Sequence, residues 1–310
     1  MNSLDRLAGN LQEQLGDSVS RDLSISDFTT YRLGGPVAAA VRVGSESDLV
    51  TVARVLNDYP DTVPLLIIGR GSNLLVADSG FAGLGIILEG EFAEVVIESD
   101  QIVVAGAAVP LPVVARQSAA AGLTGLEFLV GIPGSIGGAV RMNAGGHGSE
   151  ISTVLEQVRV MNMFDGSINN FAADNLNFSY RASRLTTDEV VIRARLRVRV
   201  DVVEKCRERI DEIVQWRREN QPGGANAGST FKNPPGDSAG RLIDEAGLKG
   251  TRIGGAVVSE KHANFLQAED GATARDVYEL MNLIRKRVSE VSGVVLESEL
   301  YTVGFDAIEK

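Results

Sequence analysis

Gly131-Ile132-Pro133-Gly134-Ser135-Ile136-Gly137-Gly138-Ala139-Val140-Arg141-Met142-Asn143-Ala144-Gly145-Gly146-His147-Gly148 places seven glycines in one short run. Glycine lets the backbone take positive φ and approach a ligand closely, so that consecutive N–H groups converge on phosphate oxygens. Tight turns between strands would account for one such loop, but seven glycines exceed what turns require. A second segment, Gly69-Arg70-Gly71-Ser72-Asn73, directly follows an apolar run at residues 65–68. Ser72, Ser135 and Asn143 add neutral hydrogen-bonding groups to the two segments. Neither segment carries the Lys-Ser/Thr pair of a P-loop, and neither matches the G-x-G-x-x-G spacing of a Rossmann turn. Glycine spacing therefore argues for a phosphate-bearing ligand and leaves it unnamed.

Outward from these loops the chain reads as α+β. Residues 46–58 predict a helix, with Ser45 and Asp48 in capping-box positions and Leu49, Val52, Ala53 and Leu56 in one stripe. Residues 65–68 predict a buried strand, followed by short β segments near 85–88, 94–98 and 102–105. Residues 111–121 predict a helix between Pro110 and Gly122. Over residues 190–200, Ile192, Ala194, Leu196, Val198 and Val200 alternate with Arg193, Arg195, Arg197 and Arg199. This is the period of a strand with one buried and one wet face. Beyond residue 200 helical spacing takes over, through Val203, Cys206, Ile210, Ile213, Val214 and Arg217, until Pro222-Gly223-Gly224 ends it. A helix over 238–246 follows. Another starts at Thr273, capped with Asp276, and carries Val277, Leu280, Met281, Ile284, Val288 and Val291 to Gly293. A final strand is predicted over 294–303. The expected organisation is an N-terminal helical segment over 1–20, a larger domain over 21–200 split near 100, and a smaller α+β domain over 201–310.

The 310 residues carry a net charge of −11, with 44% hydrophobic and 23% charged residues. This balance suits a globular protein and argues against nucleic-acid binding, which needs a basic face. The arginine row of residues 193–199 accordingly reads as a solvated face. The start of the chain shows no apolar run of the signal-peptide kind, and no stretch reaches the length of a membrane span. One cysteine, Cys206, and two histidines are too few for a typical structural zinc site, so no metal is expected. Cys206 reads as core, and a reducing cytoplasm fits best.

A second polar constellation lies in Gly228-Ser229-Thr230-Phe231-Lys232-Asn233-Pro234. Ser229 lacks a G-x-S-x-G context, and with only His147 and His262 in the chain a Ser-His-Asp hydrolase is disfavoured. Phe178-Ser179-Tyr180-Arg181 and Leu296-Glu297-Ser298-Glu299-Leu300 complete the set. One at a time these read as an ordinary turn, a surface arginine and strand-end carboxylates.

In order, however, they form a pattern: Thr30-Tyr31-Arg32-Leu33-Gly34-Gly35, GRGSNLL, GIPGSIGGAVRMNAG, SYR, GSTFKNP, AGLKG with GGAVVSEKHANF, and LESEL. That ordered set, spread over residues 28–304, resembles the UDP-N-acetylenolpyruvoylglucosamine reductases. The resemblance implies a bipartite FAD-binding domain of the vanillyl-alcohol-oxidase type followed by a substrate-binding domain. It implies non-covalent FAD, NADPH as co-substrate, and a UDP-sugar substrate reduced at its enolpyruvyl ether to give UDP-N-acetylmuramate for peptidoglycan. It implies no protein, nucleic-acid or membrane partner. Cofactor contacts map to Tyr31, Leu33, Gly69, Gly71, Ser72, Asn73, Leu74, Gly131, Ile132, Pro133, Gly134, Ser135, Gly137, Gly138, Asn143 and Gly145, and substrate contacts to Tyr180, Lys232 and Asn233.

The reaction implied adds hydride to a vinyl carbon and leaves negative charge beside an ether oxygen and a carboxylate, which must be stabilised and then protonated. The resemblance gives the first task to Arg181 and the proton to Ser229, with Glu299 assisting and Glu297 as the carboxylate most easily confused with it. Three departures from the pattern stand out. Arg70 replaces a common glycine, His147 a common aromatic residue, and the segment between Arg181 and Val190 is short, as in the shorter subgroup. Two rivals remain: another FAD-dependent alcohol oxidase or dehydrogenase of this fold, and a non-catalytic sugar-nucleotide-binding protein.

Overall fold

The computed structural model describes residues 3–59, 61–98 and 101–305. Residues 1–2 of the expected N-terminal segment and 306–310 of the expected C-terminal domain lie outside the described residues. The chain forms two compact units. One comprises Met1–Leu23, Ala38–Arg70 and Gly83–Trp216, the other Ser24–Val37, Gly71–Ala82 and Arg217–Lys310. Residues 24–37 and 71–82 thus cluster with the C-terminal part of the chain, a division that does not follow linear order. It also cuts the first glycine-rich loop, placing Gly69 and Gly71 in different units.

The first unit opens on the helix Ser3–Leu15, inside the N-terminal segment expected to be helical. The helix Glu46–Asn57 has the predicted capping box. Ser45 Oγ accepts from Asp48 N at 3.1 Å, and Asp48 Oδ2 accepts from Ser45 N at 3.0 Å. The unit's all-antiparallel sheet runs, in spatial order, Ile168–Ala172, Leu155–Asn162, Glu189–Arg197, Ile102–Gly106 and Val95–Ile97. Along Glu189–Arg197, Ile192, Ala194 and Leu196 are buried as the alternation requires. On the outer face Arg195 pairs with Glu98 at 2.8 Å and with Glu156 at 3.3 Å, so the arginine row is a solvated, charge-matched surface. The predicted strand over 190–200 stops at Arg197. Arg199–Val200 pairs separately with Leu123–Thr124, and Val200, expected to be buried, is 69% exposed. Cys206 is wholly buried in this unit's core, and burial pushes its thiol up.

The second unit is built on the antiparallel sheet Ala225–Ser229, Phe265–Ala268, Ala256–Val258 and Arg252–Ile253, with the helices Ala239–Glu245 and Ala274–Ser292. Ala274–Ser292 has the predicted Thr273–Asp276 capping box and ends at Gly293 with φ 72°. Its stripe Val277, Leu280, Met281, Ile284 and Val288 is buried, whereas Val291, expected in the stripe, is exposed in the last turn. The predicted strand over 294–303 is reduced to Tyr301–Val303, parallel to Leu74–Val76. Ser298 instead makes a single bridge to Phe231, so the run serves two partners and no one ladder continues through it.

Candidate active site

In the first unit the two glycine-rich segments meet at Ser135. This residue is 4% exposed, and its side chain makes no capping bond to the short helix Ile136–Arg141 that it precedes. A Cβ added to Gly69 would stand 2.7 Å from Ser135 Oγ, and one added to Gly138 would stand 3.9 Å away. Gly69 and Gly138 are themselves exposed, so bare backbone and one hydroxyl form a surface that a larger side chain would obstruct. The run is docked from beneath: Ile136 N donates to Val109 O at 3.0 Å and Gly137 N to Ala107 O at 2.9 Å. These features fit a phosphate-bearing cofactor, which needs close backbone approach and neutral donors. Gly69→Val is expected to lower flavin affinity at least ~10-fold while the fold persists, since only a rotatable hydroxyl opposes the new side chain. The flavin-to-protein absorbance ratio of purified protein checks this, and an unchanged ratio would contradict it.

The far end of the run is a hairpin. Gly145–Gly146 pairs with Ser149–Glu150 across a two-residue turn in which His147 (φ 53°) and Gly148 (φ 80°) both take positive φ. The His147 ring packs edge-on against Trp216, with centroids 5.1 Å apart, and a Cβ on Gly131 would stand 2.9 Å from it. Position 147 thus packs on protein, and Gly131 makes room for the ring.

Tyr180 and Arg181 form another tight turn, closed by reciprocal backbone bonds between Ser179 and Ala182 at 3.0 and 3.1 Å. Arg181 sits at φ 56°, a left-handed conformation that costs a non-glycine residue roughly 1–2 kcal/mol. Its guanidinium lies 4.9 Å from the Tyr180 ring centroid, and Nη2 donates to Gly145 O at 3.0 Å. Asn143 Nδ2 donates to Ser179 O at 3.1 Å, so the turn is fastened to the glycine run twice. Asn143 Oδ1 also accepts from Ser152 N at 2.9 Å, which commits both ends of that side chain to protein. Asn143 is also only 1% exposed, so its side chain serves the protein's own packing first.

In the second unit, Gly71 (φ 54°) passes against residues 28–30, and a Cβ there would come within 2.0 Å of Phe28 O. Tyr31 is 1% exposed, and its hydroxyl donates to Leu266 O at 3.1 Å. Burial pushes its phenol pKa up, and the ring is closed to a ligand, so a contact by Tyr31 is limited to backbone. Leu33 packs on the same core. Leu74 begins the strand Leu74–Val76, and Asn73 Nδ2 donates to Glu299 O at 2.9 Å.

That bond ties the first loop to the LESEL segment, which lies against GSTFKNP. Phe231 bridges Ser298, Lys232 N donates to Glu297 O at 2.9 Å, and Glu299 N donates to Thr230 O at 2.9 Å. Glu299 therefore lies opposite Thr230, one residue from Ser229, and both Ser229 and Glu299 are half-buried. Glu297, expected on a common strand face with Glu299, is in irregular chain. Its side chain is 78% exposed and pairs with Lys232 at 3.6 Å. Asn233 Oδ1 accepts from Ala239 N at 3.0 Å, which commits that oxygen to the start of the next helix. Arg181 belongs to the first unit and Ser229, Lys232, Asn233 and Glu299 to the second.

Asn264, which no motif in the sequence singles out, bonds the main chain of Phe231 in both directions through its amide. A signal was available: a polar amide between Ala263 and Phe265, both buried, must find partners.

Residues 37–172 match the family model of an FAD binding domain. Residues 220–303 match that of the C-terminal domain of UDP-N-acetylenolpyruvoylglucosamine reductase. The chain is 45% identical over 284 residues to the protein of that name from Acidiphilium cryptum, covering 91% of this chain and 90% of the relative. It is 43% identical to the one from Gluconobacter oxydans, over 88% of each chain. The crystal structure of the Thermus caldophilus reductase superposes with a TM-score of 0.80 at 39% identity, covering 92% of this chain and 98% of that one.

Proposed function

The chain belongs to the UDP-N-acetylenolpyruvoylglucosamine reductase family, and on that premise we propose which of its residues carry the reaction. The fold is the α+β, bipartite FAD-binding architecture of the vanillyl-alcohol-oxidase type followed by a substrate-binding domain. The activity is NADPH-dependent reduction of the enolpyruvyl ether of UDP-N-acetylglucosamine enolpyruvate to UDP-N-acetylmuramate. Bound FAD would supply the hydride-transfer chemistry between NADPH and the terminal vinyl carbon, and the residues assigned below would hold it.

The cofactor's phosphates are assigned to the backbone of Gly69 and residues 131–138 with the Ser135 hydroxyl, while Gly71 and Ser72 remain cofactor contacts on the family resemblance alone. The meeting of Gly69, Gly138 and Ser135 Oγ is the observation that carries this assignment. Arg181, held in a strained turn beside the glycine run, is assigned to stabilise the charge that develops at the ether carbon. Ser229 supplies the proton. A hydroxyl is a weak acid, but an enolate-like carbon is a strong enough base to take its proton. Glu299, opposite Thr230 in the paired segments, assists that transfer. Glu297 is disfavoured for this role by its exposure and its pairing with Lys232. Lys232 serves as a point charge for an anionic part of the sugar nucleotide, with Tyr180 and Asn233 as further substrate contacts.

Residues 21–200 are assigned to cofactor binding and 201–310 to substrate binding, in keeping with family-model matches at 37–172 and 220–303. The work is assigned to the cytoplasm, where NADPH and nucleotide sugars are found. Among the described residues no helix is long and apolar enough to cross a membrane. NADPH consumption by the purified protein is expected to depend on the enolpyruvyl sugar nucleotide. Consumption that ignores this substrate would favour a different FAD enzyme, and binding without consumption a non-catalytic protein.

A further inference from the structure

We propose that Asn264 is a positioning residue that holds Ser229 for proton delivery, an inference that rests on the assignment of Ser229 above. The strand carrying Ser229 is irregular on its N-terminal side. Its pairing with Phe265–Ala268 shifts register between Asn226 and Ser229, and the intervening Gly228 sits at φ 75°. Such an irregularity re-aims the side chain that follows it. Beyond Ser229 the main chain is held by Asn264 and by the 297–299 segment, where Lys232 N donates to Glu297 O and Glu299 N to Thr230 O, both at 2.9 Å. Asn264 Oδ1 accepts from Phe231 N at 2.9 Å, its Nδ2 donates to Phe231 O at 2.8 Å, and its main-chain oxygen accepts from Thr230 N at 2.8 Å. Asn264 thus supplies three of the bonds that hold the two residues following Ser229.

Asn264 is 3% exposed, so no water replaces a lost partner cheaply. Its own N–H donates to His262 Nδ1 at 3.2 Å, and the His262 ring packs on Phe265 with centroids 4.7 Å apart. Only an amide supplies a donor and an acceptor in this geometry. Aspartate keeps the shape and the acceptor for Phe231 N–H, but offers Phe231 O a donor only when protonated. Leucine offers neither.

The test compares wild type, Asn264→Asp and Asn264→Leu as FAD-loaded proteins, with the two half-reactions followed separately. Transfer from NADPH to flavin should be unchanged in both variants. Transfer onward to substrate should fall about 10–100-fold near neutral pH, the scale of a reacting group displaced by a fraction of an ångström to 1 Å. In Asn264→Asp this second half should recover as pH falls, because the carboxyl faces a carbonyl and takes its proton above the ordinary carboxylate range. His262, adjacent and held below the ordinary imidazole range chiefly by burial and further by Lys249, is present in Asn264→Leu as well, so recovery confined to Asn264→Asp reports the carboxyl. Amide hydrogen exchange across residues 228–233 should be faster in both variants at neutral pH. Equal loss in both half-reactions, faster exchange with no loss, or no recovery at low pH would each overturn the proposal. If Asn264→Asp fails to retain flavin, Asn264→Ser carries the same comparison of half-reactions and of exchange. Should Ser229→Ala leave substrate reduction intact, the assignment of Ser229 fails; if Ser229→Ala is impaired and Asn264→Asp is not, only the role of Asn264 fails.

Discussion

Ser229→Ala is expected to lower substrate reduction by roughly 10²–10⁴ while NADPH still reduces the flavin at its normal rate. The substitution removes one half-buried hydroxyl and leaves the bonds that hold its segment in place. Those join Thr230, Phe231 and Lys232 to Asn264, Glu297 and Glu299, and none uses the Ser229 side chain. Fold and cofactor binding should therefore persist, and the lesion should be confined to the proton-delivering step. Rapid mixing of oxidised protein with NADPH, then of pre-reduced protein with substrate, separates the two halves. An equal loss in both would make Ser229 a structural residue.

Arg181→Gly is expected to reduce substrate turnover by about 10²–10³, as for loss of one preorganised group facing developing charge. Its stability should fall less than its activity, because glycine relieves the left-handed strain at φ 56°, worth roughly 1–2 kcal/mol, against loss of the bond to Gly145 O and the contact with the Tyr180 ring. A non-glycine residue kept where glycine would be easier points to a functional demand on the side chain. Thermal melting beside steady-state rates checks both parts. A variant that loses stability and activity together would make the arginine mainly a structural strut.

Local signals were the legible part of this chain. The helices Glu46–Asn57 and Ala274–Ser292 begin where their capping boxes lie, because a cap is a bond between residues three apart. The motifs at GRGSN, GIPGSIGG, SYR, GSTFKNP and LESEL could be read as a set, and the structure joins several of them. Gly69 meets Ser135, Arg181 reaches Gly145, Asn73 holds Glu299, and Lys232 pairs with Glu297. Strands with broken alternation escaped notice, such as Leu155–Asn162, and so did Pro36–Val43, where small apolar residues carry no clear period. The run over 294–303 looked like one strand because β-forming residues recur there, but two different partners divide it. Clustering of residues 24–37 and 71–82 with the C-terminal unit leaves no local trace, since it is decided by pairings such as Tyr301 with Leu74. The buried state of Tyr31 and the committed amide of Asn143 were illegible for the same reason.

The most direct test of the account is anaerobic NADPH oxidation by the purified, FAD-loaded protein, with and without UDP-N-acetylglucosamine enolpyruvate. Without substrate, NADPH consumption should stop at one equivalent per flavin. With substrate it should continue until the limiting reagent is exhausted, and UDP-N-acetylmuramate should accumulate in equal amount. Consumption that stops at one equivalent in both cases would contradict the account.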